Sequence, residues 1–340
     1  MRPTTKDLAK AAGVSLATVD RVLNERPNVS QKTVRKVQDA IDRIGFVRNI
    51  AAVNLARSTT YQFSFVLPDA GDEFLAGIVD EVIAANKALQ SDLVVIDVAR
   101  MPIEDAHKVA NHLASLSPDR VGGVAIMAPE SPQVRDAIAR LEERGIAAVN
   151  FLSGRSSDAG SGFVGIDNRA AGATAARLIG KFSCQARGKV LVIAETMRAR
   201  DSIERRLGFD EVVNREFSHL STLPSLETHA DPERTRRIIE RTLQHNSDVI
   251  AVYVMSSEAR VPLSIVNEYT DLKQLVAVAH ERTDFNIGAL LDGRIDAIIA
   301  QNAGHAVRSA IRILRARIDN RQSVGSQDRL RIEILLKDNI

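Results

Sequence analysis

The sequence has a single cysteine, Cys184, no tryptophan, and only 10 Phe and 3 Tyr. One cysteine excludes an intrachain disulfide, and a zinc site would have to use His, Asp and Glu alone. The residues after Met1 lack the apolar stretch of a secretory signal, and no run approaches the roughly 18 apolar residues of a membrane span. We therefore expect a cytoplasmic protein in a reducing compartment, without a membrane segment.

Charge is distributed unevenly along the chain. The 340 residues carry a formal net charge of +2, but residues 1–57 hold 11 Lys and Arg against 5 Asp and Glu, so this head carries +6 and the remainder −4. The length suits two or three compact units. A basic head on a mildly acidic body favours contact of the head with a polyanion, although such charge also solvates ordinary surfaces.

The head predicts two short helices joined by a sharp turn. Thr4 and Asp7 form a plausible capping pair for a first helix that must stop at Gly13. Ser15 then caps a second helix that runs to about Asn24. This spacing, with a small residue where the helices cross, is what a helix-turn-helix requires.

A third helix is predicted from Ser30 to Gly45. Its apolar residues recur at spacings of three and four and should form one buried stripe. They are Val34, Val37, Ile41 and Ile44.

Residues 5–9 read Thr-Lys-Asp-Leu-Ala and residues 12–24 read Ala-Gly-Val-Ser-Leu-Ala-Thr-Val-Asp-Arg-Val-Leu-Asn, which resembles the head of the lactose-repressor (LacI) family. The resemblance implies that the second helix lies in the major groove of duplex DNA. It places base-edge contacts at Leu16, Ala17 and Arg21, and phosphate contacts at Thr5, Ser15, Thr18 and Asn24. Arg21 can donate two hydrogen bonds to guanine, and Asp20 stands where serine is most common in the family. A small helical protein-interaction module remains the alternative.

The linker after the head also resembles the family, in which a short helix wedges a leucine into the minor groove. Leu55 matches that leucine, whereas Arg48 and Val53 replace a usual proline and a usual arginine. The alternative is that Leu55 packs against the body. We expect a helix-turn-helix domain at 1–49 and a hinge helix with linker at 50–59.

The body, residues 60–340, alternates short runs rich in Val, Ile, Leu and Ala with amphipathic helical stretches. The pattern is typical of parallel strands covered by helices, and so many units favour two doubly wound parallel-sheet subdomains with a cleft between them. The predicted fold class is therefore an all-α helix-turn-helix head plus an α/β body. The body resembles the periplasmic sugar-binding-protein fold, and we expect subdomains at 60–154 plus 282–311 and at 155–281 plus 312–340.

The same resemblance implies an effector site at the ends of the strands. A sugar-like ligand needs carboxylates and amides for its hydroxyls and an aromatic face for its ring. The candidate effector-binding residues are Asp72, Phe74, Arg205, Ser256, Glu281 and Gln301. Phe74 could equally be a core residue, and Arg205 could form an exposed helical salt bridge. Where many relatives carry an acid after the fourth strand, this chain has Leu152-Ser153-Gly154.

Enzymatic and metal sites find little support in the sequence. Gly160, Gly162 and Gly165 form a literal G-x-G-x-x-G that precedes a strand rather than following one, so it does not predict a dinucleotide loop. His107 and His112 are five residues apart and should both face solvent. We expect no enzyme, cofactor or metal site; an exported solute receptor and a cytoplasmic sugar-modifying enzyme such as a kinase are the weaker alternatives.

These features together predict a DNA-binding transcriptional regulator, most simply a repressor. Because one helix-turn-helix reads only a few base pairs, we expect a homodimer on a near-palindromic double-stranded operator. The effector is expected to be a sugar or polyol. Its identity, and whether it releases or strengthens DNA binding, stay open.

Overall fold

The computed structural model describes residues 3–23, 29–46, 60–69, 71–102, 105–154, 162–183, 187–321 and 330–340. Two compact units result, Met1–Thr60 and Tyr61–Ile340. Some residues singled out above lie outside the described residues. They are Asn24, Arg48, Val53, Leu55, Gly160 and Cys184.

The head consists of α1 (Thr5–Ala12), α2 (Leu16–Leu23) and α3 (Gln31–Ile44). The capping box predicted for α1 is present, because Thr4 Oγ1 accepts from the Asp7 amide at 3.3 Å and an Asp7 carboxylate oxygen accepts from the Thr4 amide at 2.8 Å. Gly13, with φ +64°, ends the helix in the left-handed region that glycine tolerates. Local sequence therefore determines both ends of α1.

The head closes on a small apolar core. Its buried members are Leu8, Val19, Val37, Ala40 and Phe46. The stripe predicted for α3 is shifted by part of a turn: Val34 is 40% exposed, and Ala40 takes the buried place. The reason is that α1 and α2 contact the face of α3 centred on Val37, and Val34 at the start of α3 lies beside that contact.

The body begins with a five-stranded parallel sheet in the order β2-β1-β3-β4-β5. Its strands are β1 (Tyr61–Pro68), β2 (Val94–Met101), β3 (Gly123–Ile126), β4 (Ala147–Phe151) and β5 (Phe163–Val164). The helices between them are α4 (Glu73–Ala88), α5 (Ala106–Ser115) and α6 (Pro132–Glu143). The apolar runs lie in these strands because both faces of the sheet are covered.

A second sheet of seven strands follows, in the order β12-β11-β10-β9-β6-β7, with β8 also paired to β6. Its strands are β6 (Gly188–Ala194), β7 (Leu220–Thr222), β8 (Leu226–Glu227), β9 (Val249–Val254), β10 (Val276–His280), β11 (Ala297–Ala300) and β12 (Glu333–Leu335). The helices are α7 (Asn168–Phe182), α8 (Arg200–Glu216), α9 (Pro232–His245), α10 (Arg260–Tyr269), α11 (Asp284–Leu291) and α12 (Ala303–Ile318). Only β12 runs antiparallel among the described strands of this sheet.

The subdomain boundaries differ from those expected from sequence. Strand β5 pairs with β4 in the first sheet, so the chain first crosses after Val164 rather than near 154. Strand β11 pairs with β10 in the second sheet, and only α12 returns to pack on β3 and β4. The first subdomain is therefore 61–164 plus 303–318. The expected boundary at 154 was wrong because β5, the last strand of the first sheet, comes after it and is only two residues long.

Two further observations concern the body. No helix within the described ranges combines the length and the apolar character that crossing a membrane requires. His112 is not exposed as expected: its Nε2 is buried without a hydrogen-bond partner in the described part of the chain, and burial lowers the pKa of the imidazole.

Candidate functional site

The second helix of the head, α2, exposes one face that carries both apolar and polar side chains. Leu16 is 47% exposed, and Ala17 and Arg21 beside it are exposed as well, while Val19 on the opposite side is fully buried. The Ser15 hydroxyl accepts from the Thr18 amide at 3.1 Å and caps the helix. The residues that the sequence assigns to base edges thus share one accessible face.

In the body, α7 and α8 cross at unusually close range. A Cβ on Gly172 would lie 1.8 Å from the Arg205 carbonyl oxygen, and one on Gly208 would lie 1.9 Å from the Arg169 carbonyl oxygen. Only glycine permits this approach of two backbones. The crossing places Asn168, the first residue of α7, against Arg205 on α8, where Arg205 Nε donates to Asn168 Oδ1 at 2.8 Å.

Arg205 lies almost entirely inside the protein and forms a buried ion pair. Its Nη1 donates to the Met255 carbonyl oxygen at 2.5 Å, and its Nη2 donates to Glu281 Oε1 at 3.4 Å. The two side chains are only 5% and 2% exposed. The exposed salt bridge considered as the alternative for Arg205 is therefore excluded, and the arginine joins the ends of α8, β9 and β10.

Glu281 follows β10 in a strained conformation. Its φ of +68° is rare for a residue with a side chain and points to an imposed orientation. Asn286 Nδ2 donates to the carbonyl oxygens of His280 and Glu281 at 2.8 and 2.9 Å and so holds the turn. Burial raises the pKa of the Glu281 carboxyl, and the positive charge of Arg205 acts in the opposite direction.

Two acceptors in this cluster are left without partners. Gln301, just after β11, donates from Nε2 to Glu281 Oε1 at 3.0 Å. Since a carboxylate only accepts, the amide must direct its oxygen away, and Gln301 Oε1 has no partner among the described residues. Glu281 Oε2 is buried and unpartnered within the same part of the structure. Buried acceptors of this kind call for donors from another molecule.

A further dyad lies behind the cluster. His280 and Tyr253 are fully buried, and the Tyr253 hydroxyl lies 2.8 Å from His280 Nε2. Tyr253 stacks on Phe209 at a centroid distance of 4.7 Å. Burial, followed by the charge of Arg205, lowers the pKa of His280 well below its ordinary value of 6.5, so the ring is neutral.

The other three candidate effector residues are not part of this cluster. Asp72 and Ser256 line a cavity of about 240 Å³ at the carboxyl ends of the strands. Phe74 is 8% exposed and belongs to the main apolar core. The Ser153 hydroxyl, where relatives carry an acid, bonds to the amide and carbonyl of Ala128 at 3.0 and 2.9 Å and stabilises the end of β3.

Polar contacts join the two subdomains across the cleft. Ser257 Oγ donates to Asp72 Oδ2 at 3.0 Å, and the Phe285 amide donates to Glu73 Oε2 at 3.2 Å. Arg200 Nη1 lies 3.5 Å from Glu130 Oε2. The cleft is therefore closed by direct bonds between side chains and backbone of opposite subdomains.

The sequence did not point to Asn168, Asn286, His280 or Tyr253 as parts of the site. A usable signal existed for Asn168 and His280, since each stands at or beside the carboxyl end of a strand or the start of the helix after it. Tyr253 lies inside a strand and Asn286 inside a helix, where nothing in the pattern separates them from core residues. Among the described residues, no group of three or more His, Cys, Asp or Glu is placed to hold a metal.

The structure combines a basic helix-turn-helix unit with an α/β body of two sheets, and comparison with known proteins finds both parts in known families. Residues 63–322 match the family described as periplasmic binding protein domain, and residues 4–49 match the bacterial regulatory proteins of the lacI family. The chain belongs to the periplasmic binding protein domain family and carries a lacI-type helix-turn-helix head. The fold class predicted from sequence is confirmed.

Curated relatives match only part of the chain. The HTH-type transcriptional regulator RegA of Clostridium saccharobutylicum is 34% identical over 141 residues, which cover 42% of this chain and 40% of that protein. An HTH-type transcriptional regulator of Lachnoclostridium phytofermentans is 44% identical over 73 residues, 22% of each chain. The matches thus span less than half of these relatives, which are regulators and not enzymes.

Solved structures resemble the body. An ABC transporter solute binding protein from Burkholderia graminis, in complex with D-arabinose, superposes with a TM-score of 0.71 at 21% identity and covers 82% of this chain and 96% of its own. A putative LacI transcriptional regulator from Bacteroides fragilis superposes with a TM-score of 0.70 at 16% identity, covering 83% and 98%. Identities this low establish the fold alone.

Proposed function

We propose that the protein is a transcriptional regulator whose affinity for an operator is controlled by a small polyhydroxylated effector bound in the body. The observation that carries the proposal is the exposed face of α2, on which Leu16, Ala17 and Arg21 are accessible beside a buried Val19. A helix with such a face fits the major groove, and Arg21 can bond two acceptors of guanine. Such a regulator acts in the cytoplasm, where the chromosome lies.

The effector half of the proposal rests on the buried cluster of Arg205, Glu281 and Gln301. Glu281 Oε2 and Gln301 Oε1 are acceptors without partners in the described residues, held by a fixed frame of hydrogen bonds. Adjacent hydroxyls of a sugar or polyol supply the donors that these acceptors need. A ligand that binds both subdomains biases the closed cleft and thereby shifts the population of DNA-binding states.

A homodimer on a near-palindromic operator completes the proposal. One helix-turn-helix reads few base pairs, and a two-fold partner doubles the contacts at a fixed spacing. Sedimentation of the full chain should give twice the monomer mass of 37.1 kDa. DNA selected by the protein from a random library should contain two inverted half-sites.

The decisive test measures DNA binding by the full chain. After selection of a site, fluorescence anisotropy compares the wild type with Arg21→Ala and with Arg241→Ala, which removes the same charge from an exposed position on α9. We expect Arg21→Ala to lose about 1–3 kcal/mol of discrimination between the selected site and a mismatched one, and Arg241→Ala to retain it. Failure to select any sequence at low salt would refute the regulator.

The effector is found by thermal shift of the full chain against sugars, polyols and nucleosides, since a ligand of the native state raises the melting temperature. The shift should vanish in Glu281→Ala and should accompany a change in operator affinity. A ligand that stabilises the protein without altering DNA binding would indicate a solute receptor instead.

A further inference from the structure

A cavity of about 240 Å³ lies in the body. Its walls come from the carboxyl ends of four strands, through Asp72 after β1, Glu195 after β6, Thr228 after β8 and Ser256 after β9. Gly71 and Asp72 belong to the first subdomain, and the other lining residues belong to the second. Ser256 follows directly on Met255, whose carbonyl oxygen Arg205 binds, so the cavity adjoins the cluster along the chain.

Three helices begin at this cavity, and at each of them a carboxylate of the chain itself already accepts from one or two of the first amides. Asp72 Oδ1 accepts from the Leu75 amide of α4 at 2.6 Å, and Asp231 Oδ1 accepts from two amides of α9 at 2.9 and 3.1 Å. Glu258 Oε1 accepts from the Arg260 and Val261 amides of α10 at 2.8 and 3.3 Å. The sites where a phosphate would bind are therefore occupied.

The charge of the lining residues also argues against an anionic ligand. Asp72, Glu195 and Glu258 contribute three carboxylates, and of the described residues that line the cavity none is Lys, Arg or His. An anionic ligand would meet repulsion from all three acids, whereas a ligand with donor groups would meet acceptors.

One hydroxyl in the cavity is unused. Thr228 is 7% exposed, and its hydroxyl forms no hydrogen bond with any residue of the described ranges. The backbone around it is pinned, since the Thr228 amide donates to the Ala194 carbonyl at 3.0 Å and the His229 amide donates to the Glu195 carbonyl at 2.8 Å. A hydroxyl of a largely buried residue, held at the wall of a cavity without a partner in the described chain, is available to bond a ligand.

We infer that this cavity is a subsite of the effector that takes an amine-bearing, non-anionic group, such as the ammonium of an amino sugar, and that rejects phosphorylated and acidic sugars. The inference rests on the proposed function and names the class of its effector. Occupation of the subsite would also hold Asp72, which bonds to Ser257 across the cleft, and so would favour closure.

The first test titrates the full chain with matched sugars: D-glucosamine, D-glucose and D-glucose 6-phosphate, together with D-galactosamine, D-galactose and D-galactose 6-phosphate. Within a series the amine should bind at least about tenfold more tightly than the neutral sugar, and the phosphate more weakly than either.

Three variants of the lining should each reduce this preference: Glu195→Gln, Glu258→Gln and Thr228→Val. The glutamine at position 258 keeps an oxygen for the cap of α10. Thr242→Val, whose hydroxyl bonds within α9 at 2.7 Å, is the matched control. Tighter binding of a phosphate, or an unchanged preference in all three variants, would overturn the inference.

A second test measures the charge preference of the cavity without any sugar. In a Cys184→Ser background, the thiol of Thr228→Cys is modified with a cationic and with an anionic methanethiosulfonate reagent of similar size. The cationic reagent should react about tenfold faster or more, and Glu195→Gln should lower the ratio. Ser115→Cys, at an exposed position of α5, sets the ratio for open solvent, and an equal ratio at the two positions would overturn the inference. Loss of operator binding would instead concern the proposed function, which neither assay measures.

Discussion

Arg205 and Glu281 form an ion pair at 3.4 Å in which both side chains are almost completely withdrawn from water. Each charge is tolerated because the other is present, together with the Asn168, Met255 and Gln301 groups that bond to them. Such a pair contributes little net stability, but removal of one member leaves an uncompensated charge in the interior.

Glu281→Gln should therefore lower the free energy of unfolding by about 3 kcal/mol, because Arg205 keeps its charge without the carboxylate. Urea unfolding of the full chain at neutral pH measures this change. The control is Glu211→Gln, which breaks the exposed pair with Arg169 and should leave the transition where it is. Equal behaviour of the two variants would contradict the burial of the pair.

His280 should make stability depend on pH. Its pKa lies well below 6.5 in the folded state, chiefly through burial and also through Arg205. The unfolded chain therefore binds a proton first, so the stabilisation is present above pH 6.5 and is lost as pH falls below that value, at about 1.4 kcal/mol per pH unit.

Between neutral pH and pH 5, the free energy of unfolding should depend less on pH for His280→Gln than for the wild type. His107→Gln, at an exposed position of α5, serves as the control and should keep the wild-type slope. The raised pKa of Glu281 works in the opposite direction, since that carboxyl favours folding at low pH and loses the effect as pH rises. The difference between variant and wild type isolates the histidine, and identical slopes would show that the ring is not sequestered.

The crossing of α7 and α8 should tolerate no side chain at Gly172. A methyl group there would collide with the Arg205 carbonyl, so Gly172→Ala should cost about 1–3 kcal/mol and displace Arg205. Gly288→Ala on α11, where a Cβ meets nothing within 4 Å, should be neutral or stabilise by up to about 1 kcal/mol. Thermal unfolding of both variants provides the comparison, and a stable Gly172→Ala protein would disprove the close packing.

The bond between Ser257 and Asp72 should favour the closed cleft. Ser257→Ala removes it and should weaken the effector found by screening about 2- to 10-fold, the worth of one hydrogen bond. Calorimetric titration measures the affinity. Ser115→Ala, whose hydroxyl bonds only within α5 at 2.7 Å, should bind as the wild type does. An equal loss of affinity in both variants would show that the bond between Ser257 and Asp72 does not favour the closed cleft.

Much of the head could be predicted because its signals are local. The Thr4 and Asp7 cap, the left-handed Gly13 and the spacing of Leu8 and Val19 act within one or two turns of chain. Val34 was misassigned because its exposure depends on how three helices pack, and a periodic pattern leaves that rotation open by part of a turn. Strands β7, β8 and β12 have only two or three residues and carry too few side chains for any alternation to be seen.

The candidate effector site was also predicted only in part. Arg205, Glu281 and Gln301 were named from a resemblance, and they do converge on one buried cluster. Asp72 and Ser256 line a different cavity, and Phe74 lies in the core. Three chain segments far apart in sequence meet in that cluster, and no spacing in the sequence records which of their oxygens finds a donor.

Neighbouring residues alone predict the helices of the head, the longer apolar strands of the body and the basic charge of residues 1–57, because these signals act over short stretches of chain. Only tertiary packing leaves Glu281 Oε2 and Gln301 Oε1 buried without partners in the described chain, and only it brings Asp72, Glu195 and Glu258 to one cavity whose described lining has no basic residue. Desolvation and charge depend on everything that surrounds a group, and those surroundings exist only once the two sheets and the helices between them have packed together.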